Sequence, residues 1–153
     1  MRYADDRAIL NVLSDYCDYV DRNDVDGVLS LFTRDAEYDF GFGRIFVGEQ
    51  LRVMFSRVEI YRATSHHISN IRIEVDESAG VATVRCALYA YHVRRADASE
   101  AHVWGQYADR FVRQGGAWLI QRRALRVAHE VGTRPEDGHD SLFEYLPRGV
   151  AAG

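Results

Sequence analysis

Along the first third of the chain, apolar residues recur at three- and four-residue steps. Between Asp5 and Asp21 the positions Ile9, Val12, Leu13, Tyr16, Cys17 and Val20 form one such stripe, which predicts an amphipathic helix ending at Asp21. Asn23-Asp24 combines a helix stop with a new N-cap, and Val25, Val28, Leu29, Leu31 and Phe32 predict the buried side of a second, shorter helix. Thr33-Arg34-Asp35 reads as a turn. The pattern then alternates over Ala36–Phe40, and Gly41-Phe42-Gly43 returns the chain into Arg44–Val47, a small hairpin. Gly48 to Leu51 opens a third helix with Leu51, Phe55 and Val58 on one side, ending before Thr64.

From Thr64 onward the period is two. Ile68–Val75 turns through Asp76–Gly80 into Val81–Val93, Arg94–Ala98 turns into Ala101–Arg113, and Gly115-Gly116 turns into Ala117–Ala128. Three helices followed by a curled meander of long hairpins is an α+β arrangement, with the helices covering the concave face of the sheet. Trp104 and Trp118 are expected to pack in the sheet, and alternation splits Arg122 and Arg123 between a solvated and a buried face. The final stretch, 132–153, mixes Gly, Pro and charge with Leu142, Phe143, Tyr145 and Leu146. It reads as a lid, a partner-binding arm or a frayed tail beyond a single domain spanning 1–131.

Composition agrees with one domain: 153 residues, 47% hydrophobic and 27% charged. The net charge is -4, with 19 basic residues interspersed among 23 acidic ones, which argues against nucleic acid or an anionic membrane as a partner. Cys17 and Cys86 have neither metal nor redox spacing and read as small hydrophobes in a reducing compartment. The N-terminus lacks an apolar signal region and no run is long enough to span a membrane, so a cytoplasmic location is expected. The glycine pairs are turn glycines and make no phosphate loop or nucleophile elbow, so neither a nucleotide cofactor nor a metal is implied.

Candidate chemistry centres on Thr64-Ser65-His66-His67. Counting by twos puts Thr64, His66, Ile68 and Asn70 on one face and His67, Ser69, Ile71 and Ile73 on the other, unless a bulge intervenes. A histidine on a half-buried face is either a satisfied core residue or, if a carboxylate reaches it, a general base. Gly105, Tyr107 and Asp109 share one face of a later strand. Tyr107 can donate to a substrate oxygen, and Asp109 can act as a second acid or orient Arg123 or Arg126; the alternatives are packing for Tyr107 and a cross-strand pair for Asp109. His92, Tyr89 and Tyr91 lie on the strand between, either face of which could look inward. The outer face carrying His67, Ser69, Ile71 and Ile73 is a broad mixed surface of the kind that meets a symmetric copy, so a homodimer or homotrimer is expected.

Several of these residues also form a recognisable order. A helix ending Tyr16-x-x-x-Val20-Asp21-x-x-Asp24, a hairpin, Thr64-x-His66-x-x-x-Asn70, then Gly105-x-Tyr107-x-Asp109 leading to Gly116-x-Trp118 resembles the SnoaL-like branch of the nuclear transport factor 2-like superfamily, and within it scytalone dehydratase and hexachlorocyclohexane dehydrochlorinase. The match runs from about Asp5 to Val127. The resemblance implies a cone: a strongly bent antiparallel sheet closed by the three helices around a ligand cavity. It also implies that Asp21 and His66 form a catalytic dyad. Two departures matter. The tyrosine pair of scytalone dehydratase falls on Val20 and Phe40, and a lysine position of the dehydrochlorinase carries Tyr16. Tyr16, Val20, Phe40, Phe55 and Leu51 are therefore expected to wall an apolar pocket for a flat ring, with Tyr107 and Asp109 as polar contacts. The expected function is a cofactor-independent lyase, dehydratase-like, or an isomerase, acting on a cyclic or aromatic, polyketide-like hydroxy-ketone. The alternatives are a non-catalytic small-molecule binding domain and the small subunit of a ring-hydroxylating dioxygenase.

Overall fold

The computed structural model describes residues 2–41 and 43–134. In chain order the elements are α1 (Arg2–Asp21), α2 (Val25–Ser30), β1 (Phe32–Asp39), β2 (Ile45–Val47), α3 (Gln50–Ser56) with a 3₁₀ turn (Arg57–Ile60), β3 (Tyr61–Asp76), β4 (Val81–Arg94), β5 (Glu100–Gln114) and β6 (Ala117–Val131). The six strands form one curved, unclosed sheet in the order β2-β1-β6-β5-β4-β3. The architecture is α+β with the helices on the concave side, as the hydrophobic pattern predicts. Among the described residues no helix is long and apolar enough to cross a membrane. Residues 135–153, which hold most of the expected C-terminal arm, lie outside the described residues.

The long apolar stripe of α1 makes the core. Ile9, Leu13, Tyr16 and Val20 are all buried, facing Val84 and Leu88 of β4, Val103 and Phe111 of β5, and Ile120 and Val127 of β6. Each such side chain removed from water contributes roughly 1.5–3 kcal/mol. The α1–α2 corner forms as expected: Asn23 takes a left-handed φ of 53°, and the Asp24 carboxylate accepts from the Gly27 N–H at 2.8 Å as the N-cap.

Several expectations need correction. Leu31 and Phe32 do not belong to the second helix. The Leu31 carbonyl accepts from Ile120 N–H at 2.8 Å, and Phe32 starts β1, so the ladder with β6 captures the end of the helical pattern. Thr33-Arg34-Asp35 is accordingly the irregular part of β1, at a register shift between Phe32 and Glu37, and not a turn. The sheet is not wholly antiparallel either: β1 runs parallel to β6, because the helices return the chain to the open edge of the meander in the direction of its last strand.

Two further corrections concern sheet faces. β3 pairs Ser69 with Ala87 but Arg72 with Arg85, so one extra residue is inserted, and Asn70 takes φ 52°. The bulge exchanges the faces: Asn70 is exposed, while Ile71 and Ile73 turn inward with Ile68 and pack against the core. The apolar part of the expected outer surface, Ile71 and Ile73, is therefore absent, while His67 and Ser69 stay exposed as expected. In its place a row of rings crosses the convex face, with His102 and Trp104 stacked at 5.7 Å and Trp104 and His129 at 5.7 Å. Trp104, expected to pack in the sheet, is 38% exposed there, whereas Trp118 is buried. Arg122 and Arg123 divide between the faces as alternation predicts, with side chains 46% and 1% exposed.

Gly105 marks a tight approach between β5 and β6 at a register shift, where an added Cβ would collide with the Arg126 carbonyl oxygen. Because backbone cannot yield as a flexible side chain does, Gly105→Ala is expected to destabilise the fold by about 1–3 kcal/mol. Urea denaturation that leaves the midpoint unchanged would contradict this close approach.

Candidate active site

The C-terminal end of α1 meets the first half of β3 at Asp21. Its Oδ1 accepts from the Thr64 hydroxyl at 2.9 Å and lies 2.7 Å from His66 Nδ1, and its Oδ2 accepts from the His66 backbone N–H at 2.9 Å. Burial pushes the Asp21 carboxyl upward, but the hydrogen bonds from the His66 ring and backbone, the charge of that ring and the Thr64 hydroxyl outweigh it and hold the group below its ordinary value. A carboxylate can only accept, so Nδ1 of His66 carries a proton in this contact, and in the neutral form of the ring Nε2 keeps its lone pair. The ring is 9% exposed and lines a cavity.

That cavity, of about 120 Å³, lies inside the curled sheet. Tyr16 and Val20 of α1, Phe40 after β1, Phe55 of α3 and Tyr107 of β5 all line it, as expected. Leu51 is part of the buried core and not of the lining, and Asp109 is a second correction. The Asp109 side chain is fully buried and accepts two bonds from Arg123, Nε at 2.8 Å and Nη2 at 2.6 Å, so it orients the arginine instead of meeting a ligand. The Arg123 guanidinium lies between two cavity rings, 4.1 Å from the centroid of Tyr16 and 4.0 Å from that of Tyr107. Its charge is matched by one carboxylate and two π faces.

Tyr38 is the residue that the sequence reading passed over. It lines the cavity with its hydroxyl 3.4 Å from that of Tyr16, and its ring stacks on Phe40 at 4.5 Å. Alternation could have found it, since Ala36, Tyr38 and Phe40 share one face of the predicted strand. Burial, with the neighbouring Tyr16 hydroxyl, raises Tyr38 and Tyr107 well above the ordinary phenol value against the opposing charge of Arg123. Both hydroxyls therefore keep their protons and can donate. The open question for β4 is also resolved. His92 faces inward, edge-on to His66 at 5.4 Å and tilted against Tyr61 at 4.6 Å, while Tyr89 and Tyr91 face outward.

Residues 1–124 match the family described as the SnoaL-like domain. The chain belongs to this SnoaL-like family. With it comes membership of the nuclear transport factor 2-like superfamily. Among solved structures, this SnoaL-like chain is similar to a candidate scytalone dehydratase from Novosphingobium aromaticivorans DSM 12444, with 27% identity over 97% of each chain and a TM-score of 0.87. It is also similar to a candidate aromatic ring hydroxylase from Novosphingobium aromaticivorans, with 26% identity over 85% of this chain and 94% of that one and a TM-score of 0.77. The hexachlorocyclohexane dehydrochlorinase of Novosphingobium barchaimii LL02 shares the fold, at 17% identity, 95% and 97% coverage and a TM-score of 0.74. No curated protein matches the chain.

Other chemistry is thinly represented. Among the described residues no group of three or more His, Cys, Asp or Glu is placed to hold a metal ion. Burial pushes the thiols of Cys17 and Cys86 up to about 11, so neither supplies a thiolate near neutral pH.

The lowered Asp21 value has a signed consequence. A carboxyl depressed in the folded state contributes stability that is fully present above its ordinary value of 3.8 and is lost as pH falls through the lower folded value. Asp21→Asn is therefore expected to be less stable than the parent at neutral pH, with the gap closing below about pH 4. Urea titrations across that range check it, and a gap independent of pH would mean that the carboxylate charge contributes nothing.

Proposed function

We propose that this SnoaL-like protein is a cofactor-independent lyase of the dehydratase type, or an isomerase, in which His66 removes a proton next to a carbonyl. The observation that carries the reading is the 2.7 Å contact between Asp21 and His66 Nδ1 at the wall of a cavity lined mostly by aromatic and aliphatic side chains. Asp21 fixes the tautomer and stabilises the imidazolium that forms, and Nε2 takes the proton. The electron pair moves toward the substrate carbonyl, where the hydroxyls of Tyr16, Tyr38 and Tyr107 donate to the developing enolate. Collapse of the enolate expels a hydroxyl from the neighbouring carbon. That oxygen takes the proton from the imidazolium and leaves as water, so substrate becomes alkene plus water with no other reagent. In the isomerase variant the imidazolium returns the proton to a different carbon.

The similarity to a candidate scytalone dehydratase supports elimination as the reaction class. The tyrosines differ from the resemblance expected at Val20 and Phe40; three other positions supply the hydroxyls. Cavity size limits the ligand to about one flat ring, since an apolar cavity of about 150 Å³, somewhat larger than this one of about 120 Å³, holds benzene. The similarity to a candidate aromatic ring hydroxylase keeps a subunit role as the second reading. A carboxylate-oriented imidazole at the wall of a cavity favours the lyase, because a subunit or a simple binder has no use for an oriented base.

With a substrate in hand, His66→Ala is expected to abolish nearly all turnover while the fold persists, and Asp21→Asn to lower kcat on the order of a thousandfold by favouring the wrong tautomer. Tyr107→Phe should cost roughly tenfold to a hundredfold. Normal turnover by His66→Ala would reduce the dyad to a structural clamp.

Self-association belongs to the same proposal, now assigned to the convex row of rings around Trp104. Sedimentation velocity at micromolar concentration is expected to give a dimer or trimer, and a monomer alone would refute it.

A further inference from the structure

On the convex face, away from the cavity, two cross-strand pairs repel. Arg72 of β3 stands directly opposite Arg85 of β4, and Arg110 of β5 stands directly opposite Arg122 of β6. All four are exposed. Like charges facing one another across an antiparallel pair destabilise it, so a chain of net charge -4 carries two costly sheet contacts in one place. Their charge is only partly answered. Arg122 pairs with Asp39 at 2.7 Å and lies 3.5 Å from Glu37, and Arg110 Nε donates to the Gln121 side chain at 2.9 Å. Among the described residues the side chains of Arg72 and Arg85 have no hydrogen-bond or ion-pair partner.

The strand register sets the two pairs beside each other. Arg85 is opposite Ala108, and Thr83, two residues earlier on β4, is opposite Arg110. Arg85 and Arg110 are therefore diagonal neighbours, about 7–8 Å apart at Cα, and Thr83 and Ala108 occupy the other diagonal. All four face outward, because Val84 and Asp109 between them are buried. Thr83 and Ala108 are small, so the surface sinks between the arginines into a recess of about 380 Å³, bordered also by Arg72 and Arg122. Two acids adjoin it. The Asp109 carboxylate is turned to Arg123, and Glu74, opposite Thr83 at the β3 rim, is exposed and makes no ion pair among the described residues.

We infer that this recess is a second ligand site, which binds a phosphate group between Arg85 and Arg110, with the Thr83 hydroxyl donating from the floor and Arg72 and Arg122 adding charge at the rim. An exposed guanidinium is weakly hydrated, and its planar fork offers two parallel N–H donors to an oxyanion. Two forks meeting across a diagonal, with a hydroxyl between them, present donors in more than one plane. That arrangement suits a tetrahedral anion with a charge of about -2 better than a planar carboxylate. A bound anion also turns the repulsion within each opposed pair into attraction to a shared partner, so the cost built into the sheet is recovered on binding. The phosphate can belong to a soluble phosphorylated molecule or to a phospholipid headgroup.

Pyrophosphate is the soluble probe, and none of the measurements involves the cavity or a substrate for it. Calorimetry or chemical-shift titration at low salt is expected to show saturable binding of pyrophosphate that weakens as salt is added. Arg85→Gln and Arg110→Gln should each weaken it about tenfold and Thr83→Val about threefold. Arg7→Gln removes the same charge from the exposed side of α1 and should leave binding unchanged. Without the probe, Arg85→Gln should raise the urea midpoint by relieving an opposed pair, so its lost binding cannot be laid to a lost fold. Vesicles of phosphatidylcholine with and without phosphatidic acid separate the two sources. Co-sedimentation with the acidic vesicles that Arg85→Gln abolishes assigns the phosphate to a headgroup, and pyrophosphate binding without co-sedimentation assigns it to a soluble molecule. Absence of pyrophosphate binding at millimolar concentration would overturn the inference. So would binding that persists when Arg85 and Arg110 are both replaced, an equal loss in Arg7→Gln, or a lower urea midpoint for Arg85→Gln.

Discussion

One helix lies across the concave sheet, and a carboxylate near each end fastens it there. At the N-terminal end of α1, Asp5 accepts from Trp118 Nε1 at 3.1 Å and is paired with Arg113, whose guanidinium sits 4.7 Å from the centroid of the Trp118 ring. At the C-terminal end, Asp21 takes its bonds from β3. The sheet itself is unclosed, so these two attachments are what hold its β5–β6 hairpin and its outermost long strand to a common lid. The contact that completes the enclosure is also the one that orients an imidazole. A change at Asp21 therefore alters shape and chemistry together, and only measurements that separate stability from turnover can tell the two apart.

Between the attachments, the floor of the cavity is built on a buried ion pair. Arg123 and Asp109 are withdrawn from water, at a desolvation cost that their mutual attraction offsets only because the geometry is bidentate and the cation meets tyrosine rings on both sides. Tyr16 links this arrangement to the helix, and Tyr38 and Tyr107 link it to the sheet. The hydroxyls are thereby fixed in place before a ligand enters, which is the condition for stabilising charge as it develops.

Much of this was legible in the residue pattern, because each part that was read correctly depends on local periodicity. The stripe from Ile9 to Val20, the cap at Asp24, the hairpin turns and the separation of Arg122 from Arg123 all follow from spacing of 3.6 or 2. What escaped depends on contacts distant in sequence. Leu31 and Phe32 have helical spacing, yet their backbone is claimed by Ile120, nearly ninety residues on. Asn70 looks like an ordinary strand position, and only its pairing partners reveal the extra residue that turns Ile71 and Ile73 inward. Asp109 was rightly linked to Arg123, but no spacing rule says whether such a pair borders a cavity or lies beneath it. The match at Asp21 and His66 was carried by resemblance and not by periodicity, which cannot bring residues 45 positions apart into contact.

The bulge at Asn70 has a consequence for how separate molecules meet. β3 is the last strand of the sheet and has sixteen residues, long enough that a flat version of it would be a template for strands from other chains. Its first half is held under α1 through Asp21 and Thr64. Its second half is bent by the extra residue and studded with the exposed charges Arg72 and Glu74. Strand-to-strand stacking into fibrils requires a straight, evenly spaced row of free amides and carbonyls, and this edge interrupts that row near its middle. An irregularity that first appears as a defect in alternation thus guards a long open-edged sheet against aggregation.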